Sequence, residues 1–310
     1  IRREIKGINR YPEGSCFYLR KLLSRGLKIK PGNLIFGNGS DEIIDIIVKT
    51  FTEIDDEIIT ADVTFLEYKI ISGQNGRKVK TVPLVDFKYD LGRIKDAVTS
   101  KTRVIFIANP NNPTGTYVSR RDVDEFLRSL PGNIIVVFDE AYYEFAAASK
   151  DFPDSLNYLK EMENVIVLRT FSKAYGLAGL RIGYAIAAKG LVGYMERARQ
   201  PFNVNSLAQI AACAALSDKA FLKKAQTVVS DGKKYLYQEF KKMKLDCVPS
   251  AANFILINLK QDGLKFFNKL LKKQNCGCND KRRMPEVLGL FFRVNCARLA
   301  CCLFRMCVTQ

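Results

Sequence analysis

Three short stretches carry residues able to do covalent and acid–base chemistry, and each follows an apolar run. "NVIVLRTFSK" ends on Ser172 and Lys173, "VVFDEAY" presents Asp139, Glu140 and Tyr142, and "VIFIANPNNPTG" presents Asn112. A lysine at the mouth of a buried strand can be a surface residue, a phosphate binder or a Schiff-base former. A carboxylate directly after four apolar residues is costly unless paired. Asp139 can therefore bind a metal, cap a helix or pair with a protonated nitrogen. A metal would need further oxygen or imidazole ligands, and no obvious cluster is present. Pro110, Pro113 and Gly115 make a rigid turn that can hold the Asn112 amide toward a ligand. A plain Asn/Pro/Gly turn explains a lone "NPTG", but less well the full seven-residue string after a buried strand.

A fourth stretch, "GNGSDEII" (37–44), is a glycine turn into a helix. The free N–H groups of Gly39, Ser40 and Asp41 would favour an anion there. Ser40 or Asp41 can also serve as an ordinary N-cap. This is not a Walker loop, because the GK[ST] ending is absent. Ser172 and Arg181 make a phosphate a plausible neighbour of Lys173. A Schiff-base lysine, an aspartate for a pyridinium nitrogen and a phosphate cup together describe pyridoxal 5'-phosphate (PLP). The chain has no histidine, which removes Ser-His-Asp triads, Cys-His dyads and HExxH zinc sites. Proton transfer then falls to residues such as a lysine released from its Schiff base.

These residues need elements to position them. Short β-rich runs alternate with helix-period segments: "NLIFG" (33–37), "DEIITA" (56–61), "KVKTVPL" (78–84), "TRVIFIANP" (102–110), "GNIIVVFDEAY" (132–142), "NVIVLRTFS" (164–172) and "RIGYAIA" (181–187). In "SDEIIDIIVKTF" (40–51), Ile43, Ile44, Ile47, Val48 and Phe51 recur at helical spacing. Near-continuous apolar strands separated by helices predict an α/β fold, a mostly parallel sheet covered on both faces. In such sheets ligands bind beyond the carboxyl ends of the strands. Asn109–Gly115, Asp139–Tyr142 and Ser172–Lys173 all fall there. Residues 1–205 read as the larger domain. From 206 to 310 the pattern changes to a smaller α+β domain, with helices over "SLAQIAACAAL" and the segment after it. "ANFILINL" (252–259) reads as a strand there and "GLKFFNKLLKKQ" (263–274) as a helix.

Composition bounds the remaining classes. The 310 residues suffice for one large or two medium domains, and no apolar run reaches membrane-spanning length. The chain begins at Ile1 without a signal pattern, so it reads as a cytoplasmic protein truncated at its N-terminus. The net charge is +17, yet residues 260–310 alone hold 11 Lys/Arg against three Asp/Glu. With so much of the excess in one tail, nucleic acid is not the expected partner. Cys276, Cys278, Cys296, Cys301, Cys302 and Cys307 crowd the same tail. Their "CGC" and "CC" spacing does not match a zinc framework.

On these motifs the chain resembles the fold-type-I PLP-dependent aminotransferases, and among them the histidinol-phosphate aminotransferase family. "TFSKAYGLAGLRIGY" matches the lysine-attachment signature, while "NPNNPTG", "DEAY", "GNGSDE" and "NRYPEG" occur in the family's order. The resemblance covers roughly Asn9 to Leu259. It implies transamination of histidinol phosphate with 2-oxoglutarate, giving imidazole acetol phosphate and glutamate in histidine biosynthesis. It also implies that Lys173 carries the cofactor and shuttles the proton, and that Asp139 pairs with the pyridine nitrogen. Asn112 and Tyr142 would bond the ring hydroxyl oxygen, and Phe65 of "TFLEY" would stack on the ring. Gly39, Ser40, Asp41, Ser172 and Arg181 would hold the phosphate. Tyr11 would reach the phosphate of a partner subunit, which implies a homodimer. Asn112 and Arg293 would contact substrate.

The family's N-terminal segment is missing, and the tail after about residue 275 departs from the pattern. Cys296 and Ala297 follow Arg293 where a glycine is expected, and "QNCGCNDKRR" lacks an expected arginine strand. A frame-shifted or degenerate tail with a compromised substrate site is one expectation. The alternatives are an aromatic amino-acid aminotransferase, a threonine-phosphate decarboxylase, or a PLP-fold protein without catalysis.

Overall fold

The computed structural model describes residues 1–2, 4–263 and 265–267, together with the backbone of Phe292–Arg293. Seven strands form the central sheet: β1 (Leu34–Gly37), β2 (Glu57–Ala61), β3 (Lys78–Val82), β4 (Thr102–Ala108), β5 (Ile135–Asp139), β6 (Val165–Thr170) and β7 (Gly183–Ala187). Their order across the sheet is β1-β7-β6-β5-β4-β2-β3. Neighbouring strands from β3 to β6 pair in parallel, and β7 runs antiparallel to both β6 and β1. The helices are α1 (Phe17–Leu27), α2 (Ser40–Phe51), α3 (Glu67–Gln74), α4 (Leu91–Asp96), α5 (Arg120–Ser129), α6 (Tyr143–Ala146), α7 (Ser155–Tyr158), α8 (Lys189–Ala198), α9 (Ser206–Ser217) and α10 (Lys219–Lys242). This is the expected α/β sheet with helices.

The strands explain the apolar runs. Every residue of β1, β5, β6 and β7 is buried, as in a sheet covered on both faces. The apolar stripe of α2 seats Ile43, Ile44, Ile47 and Val48 in the main core. Three edges then bear on function. β4, β5 and β6 are adjacent and in register, with Ala108 opposite Asp139 and Asp139 opposite Leu168. The segments that follow these strands therefore emerge side by side.

A separate apolar cluster joins Leu236 and Phe240 of α10 to Ile255, Ile257, Leu259 and Phe266. Ala208 and Ala212 of α9 belong instead to the main core. The "ANFILINL" stretch divides into β9 (Phe254–Ile255) and β10 (Ile257–Asn258); β10 pairs with β8 (Asp246–Cys247), and β9 with β11 (Phe292–Arg293). The helix expected over 263–274 and the cysteine-rich tail lie mostly outside the described residues. Among the described residues no helix is long and apolar enough to cross a membrane.

Candidate active site

At the end of β5, Asp139 is 4% exposed. Its Oδ2 accepts from the Tyr68 hydroxyl at 2.7 Å and its Oδ1 from the Ala141 N–H at 3.1 Å. Burial pushes its carboxyl up to about 6, against the pull of those two donors and of Lys173. The period of the strand sends the next residue the other way. Glu140 turns to Arg169 of β6, whose Nε donates to its Oε2 at 2.9 Å. Arg169 also lies 3.5 Å over the Tyr143 ring. The two adjacent carboxylates thus do different jobs, one facing the site and one closing a buried ion pair.

The turn after β4 supplies the next group. The Asn112 Nδ2 donates to the Tyr142 hydroxyl at 3.3 Å, and Lys173 Nζ sits 5.3 Å from the centre of the Tyr142 ring. The turn itself is tied down by its neighbour, Asn111. Asn111 Oδ1 accepts from Thr64 at 2.8 Å, and its Nδ2 donates to Val63 and Thr114. Gly115 has φ +74, and a Cβ there would collide with the Ser250 side chain. Only glycine fits that turn against the segment before β9.

The turn into α2 makes a third wall. Gly39 has φ +82, and a Cβ on it would stand 2.6 Å from Arg181 Nη2. Arg181 Nη2 also pairs with Asp41 Oδ2 at 2.8 Å. Gly183 on β7 lies under the same turn, where a Cβ would meet the Ser40 N at 2.6 Å. The N-cap Gly39 supplies no side-chain acceptor to the first turn of α2. Backbone donors at a helix N-terminus beside a guanidinium suit a phosphate.

These residues fit PLP by their chemistry. There is an anion cradle in which glycines leave no room for a Cβ, a buried carboxylate whose acidity is weakened by burial, and a lysine close enough to act on it electrostatically. Phe65 is half-buried beside them, edge-on to Tyr68 with ring centres 5.5 Å apart. Ser172 follows β6 with its N–H donated to Thr170 Oγ1. Tyr11 stands away from this group, 83% exposed and stacked on Phe202 at 4.9 Å. Arg293 pairs through its backbone with Phe254, and its side chain lies outside the described residues.

A family model described as "Aminotransferase class I and II" matches residues 5–300. The chain belongs to that aminotransferase family. A histidinol-phosphate aminotransferase of Moorella thermoacetica is 46% identical over 264 residues, 85% of this chain and 68% of the relative. Histidinol-phosphate aminotransferase 2 of Carboxydothermus hydrogenoformans is 42% identical over 274 residues, 88% of this chain and 75% of that one. A crystal structure of histidinol-phosphate aminotransferase from Sinorhizobium meliloti, in complex with PLP, superposes with a TM-score of 0.90 at 27% identity. It spans 99% of this chain and 85% of that one.

Sequence reasoning passed over two parts of this aminotransferase site. Tyr68 lies three residues after Phe65 in the quoted "TFLEY", a helical spacing that reads as core packing. Arg169 lies inside the apolar run of β6, where a charge has no place until Glu140 is set beside it.

Proposed function

We propose that this aminotransferase is a PLP-dependent histidinol-phosphate aminotransferase of histidine biosynthesis. It would convert histidinol phosphate and 2-oxoglutarate to imidazole acetol phosphate and glutamate. The observation that carries the proposal is the meeting of Asp139, Asn112–Tyr142, Lys173 and the Gly39–Arg181 cradle at neighbouring strand ends. The two relatives that share 42–46% of its residues bear that name.

Bound PLP supplies an electron sink for the charge left when the Cα proton of an amino substrate departs. Lys173 carries the cofactor, takes that proton and returns it. Asp139, as an anion, accepts the ring N–H and so keeps that nitrogen protonated. Asn112 and Tyr142 hold the ring hydroxyl oxygen, and Phe65 covers a ring face. Gly39, Ser40, Asp41, Ser172 and Arg181 grip the phosphate, Asp41 through its backbone. Arg293 and Asn112 contact substrate. The working form is a cytoplasmic homodimer in which the exposed Tyr11 serves the neighbouring subunit's phosphate.

The test is spectral. Protein with PLP should absorb in the visible as a protonated Schiff base. Borohydride should fix the cofactor on Lys173, and Lys173→Ala should show no adduct. Histidinol phosphate should bleach the band at lower concentration than aromatic amino acids or threonine phosphate. No adduct in the parent protein would remove the proposal, and a preference for another donor would replace the substrate.

A further inference from the structure

We infer that Tyr68 is a positioning residue whose hydroxyl holds Asp139 in the acceptor form that a protonated ring nitrogen requires. The inference deepens the PLP reading and rests on it. Tyr68 lies in the first turn of α3 and is fully buried. Its ring lies flat on Phe106, with centres 4.9 Å apart and planes 7° apart, and edge-on to Phe65. Held on both sides, the ring cannot swing away, so its hydroxyl stays 2.7 Å from Asp139 Oδ2.

The direction of that bond matters. A backbone N–H can only donate, so Ala141 demands a lone pair from Oδ1. A phenol can donate or accept. Burial and the neighbouring Asp139 charge push the Tyr68 ionisation far up, so it remains an O–H. A protonated Asp139 could keep the Tyr68 contact only by turning that hydroxyl into an acceptor, and would exchange two charge-assisted bonds for weaker neutral ones. Together the two donors select the carboxylate, against the burial that favours the acid. The other charges acting on Asp139 are Lys173, which also favours the anion, and Asp41, which opposes it. Tyr89 and Tyr142 border Tyr68 as further phenols. Packing alone does not call for the hydroxyl, since a phenylalanine would fill the same space between Phe106 and Phe65.

The experiment compares Tyr68→Phe with Tyr89→Phe. Tyr89 also loses a buried hydroxyl, but one bonded to Thr64 at 2.6 Å rather than to Asp139. In the apo-protein, carboxyl-carbon NMR follows the titration of Asp139, and absorbance follows PLP binding as a function of pH. Tyr68→Phe should raise the Asp139 midpoint by about one pH unit. Its PLP affinity should fall by about twofold at pH 7 and by nearly tenfold at pH 5, as the ionised fraction of Asp139 falls. The deficit should shrink toward pH 9, where Asp139 is ionised in both proteins. Tyr89→Phe should leave the midpoint where it is. An unmoved midpoint in Tyr68→Phe, or an equal shift in both variants, overturns the inference. Failure of the parent protein to bind PLP would sink the functional reading, and the midpoints would still decide the role of Tyr68.

Discussion

Asp139→Asn keeps the shape of the side chain and removes its charge, and the structure gives the sign of the effect. Burial raises the carboxyl from its ordinary 3.8 to about 6 in the folded apo-protein. A folded-state value above the unfolded one means that the folded chain holds the proton more tightly. The stability so contributed is full below about pH 4 and is lost as pH rises through 6. Two units correspond to about 3 kcal/mol. Asparagine has no such dependence. Its Oδ1 can accept from Ala141 while its Nδ2 donates to the Tyr68 oxygen, because that hydroxyl can turn to accept. Exchanging a charged acceptor for neutral ones forfeits about 1 kcal/mol.

At pH 8 the apo variant should therefore be more stable than its parent by about 1–3 kcal/mol. Near pH 4 the advantage should vanish. Urea unfolding of both apo-proteins from pH 4 to 8 measures the difference directly. Burial also raises Glu140 and Glu144, but they are common to both proteins and cancel. The same variant should lose about a hundredfold or more in transamination, having no anion for the ring nitrogen. A stability difference flat across this pH range, or a variant weaker than its parent at pH 8, refutes the account. The expected outcome is a trade: Asp139 destabilises the empty fold because the loaded enzyme needs its charge.

Gly39→Ala would force a methyl to within 2.6 Å of Arg181 Nη2 at a φ of +82. PLP binding should weaken by about tenfold, whereas pyridoxal without its phosphate should bind as before; equal losses for both would deny the cradle its phosphate. Arg169→Met strands Glu140 in the core and should cost about 3–5 kcal/mol by urea unfolding. Adding Glu140→Gln should recover most of that loss, and a double variant no better than the single one would dismiss the pair. Tyr11→Ala and Lys173→Ala subunits should each be inactive alone. Co-expressed in equal amount, they should regain about a quarter of native activity, because half the dimers would carry one complete site. No recovery in proven hybrids would place Tyr11 in its own subunit's site or in none.

What could be read in advance follows from chain order. β4, β5 and β6 are consecutive in the chain and adjacent in the sheet. Motifs one strand apart in sequence are therefore neighbours in space, and Asn112, Asp139 and Lys173 could be grouped without coordinates. The phosphate wall obeys no such rule. β1 lies beside β7, and the register sets Gly37 opposite Gly183. That pairing across more than half the described chain brings the α2 turn to Arg181, and nothing local in "GNGSDE" announces it. The glycines follow from the pairing: a Cβ on Gly183 would strike the Ser40 N, and one on Gly37 the Gly39 carbonyl at 2.8 Å. Tyr68 and Arg169 escaped for a different reason. Their side chains occupy core positions by spacing, and only a partner seen across the sheet, Asp139 for one and Glu140 for the other, turns a packing residue into an electrostatic one. Burial is thus the wrong criterion for dismissing a polar group in this fold. A polar atom retained at a buried position usually has a partner to satisfy, and for Tyr68 that partner is Asp139, the carboxylate proposed to face the cofactor.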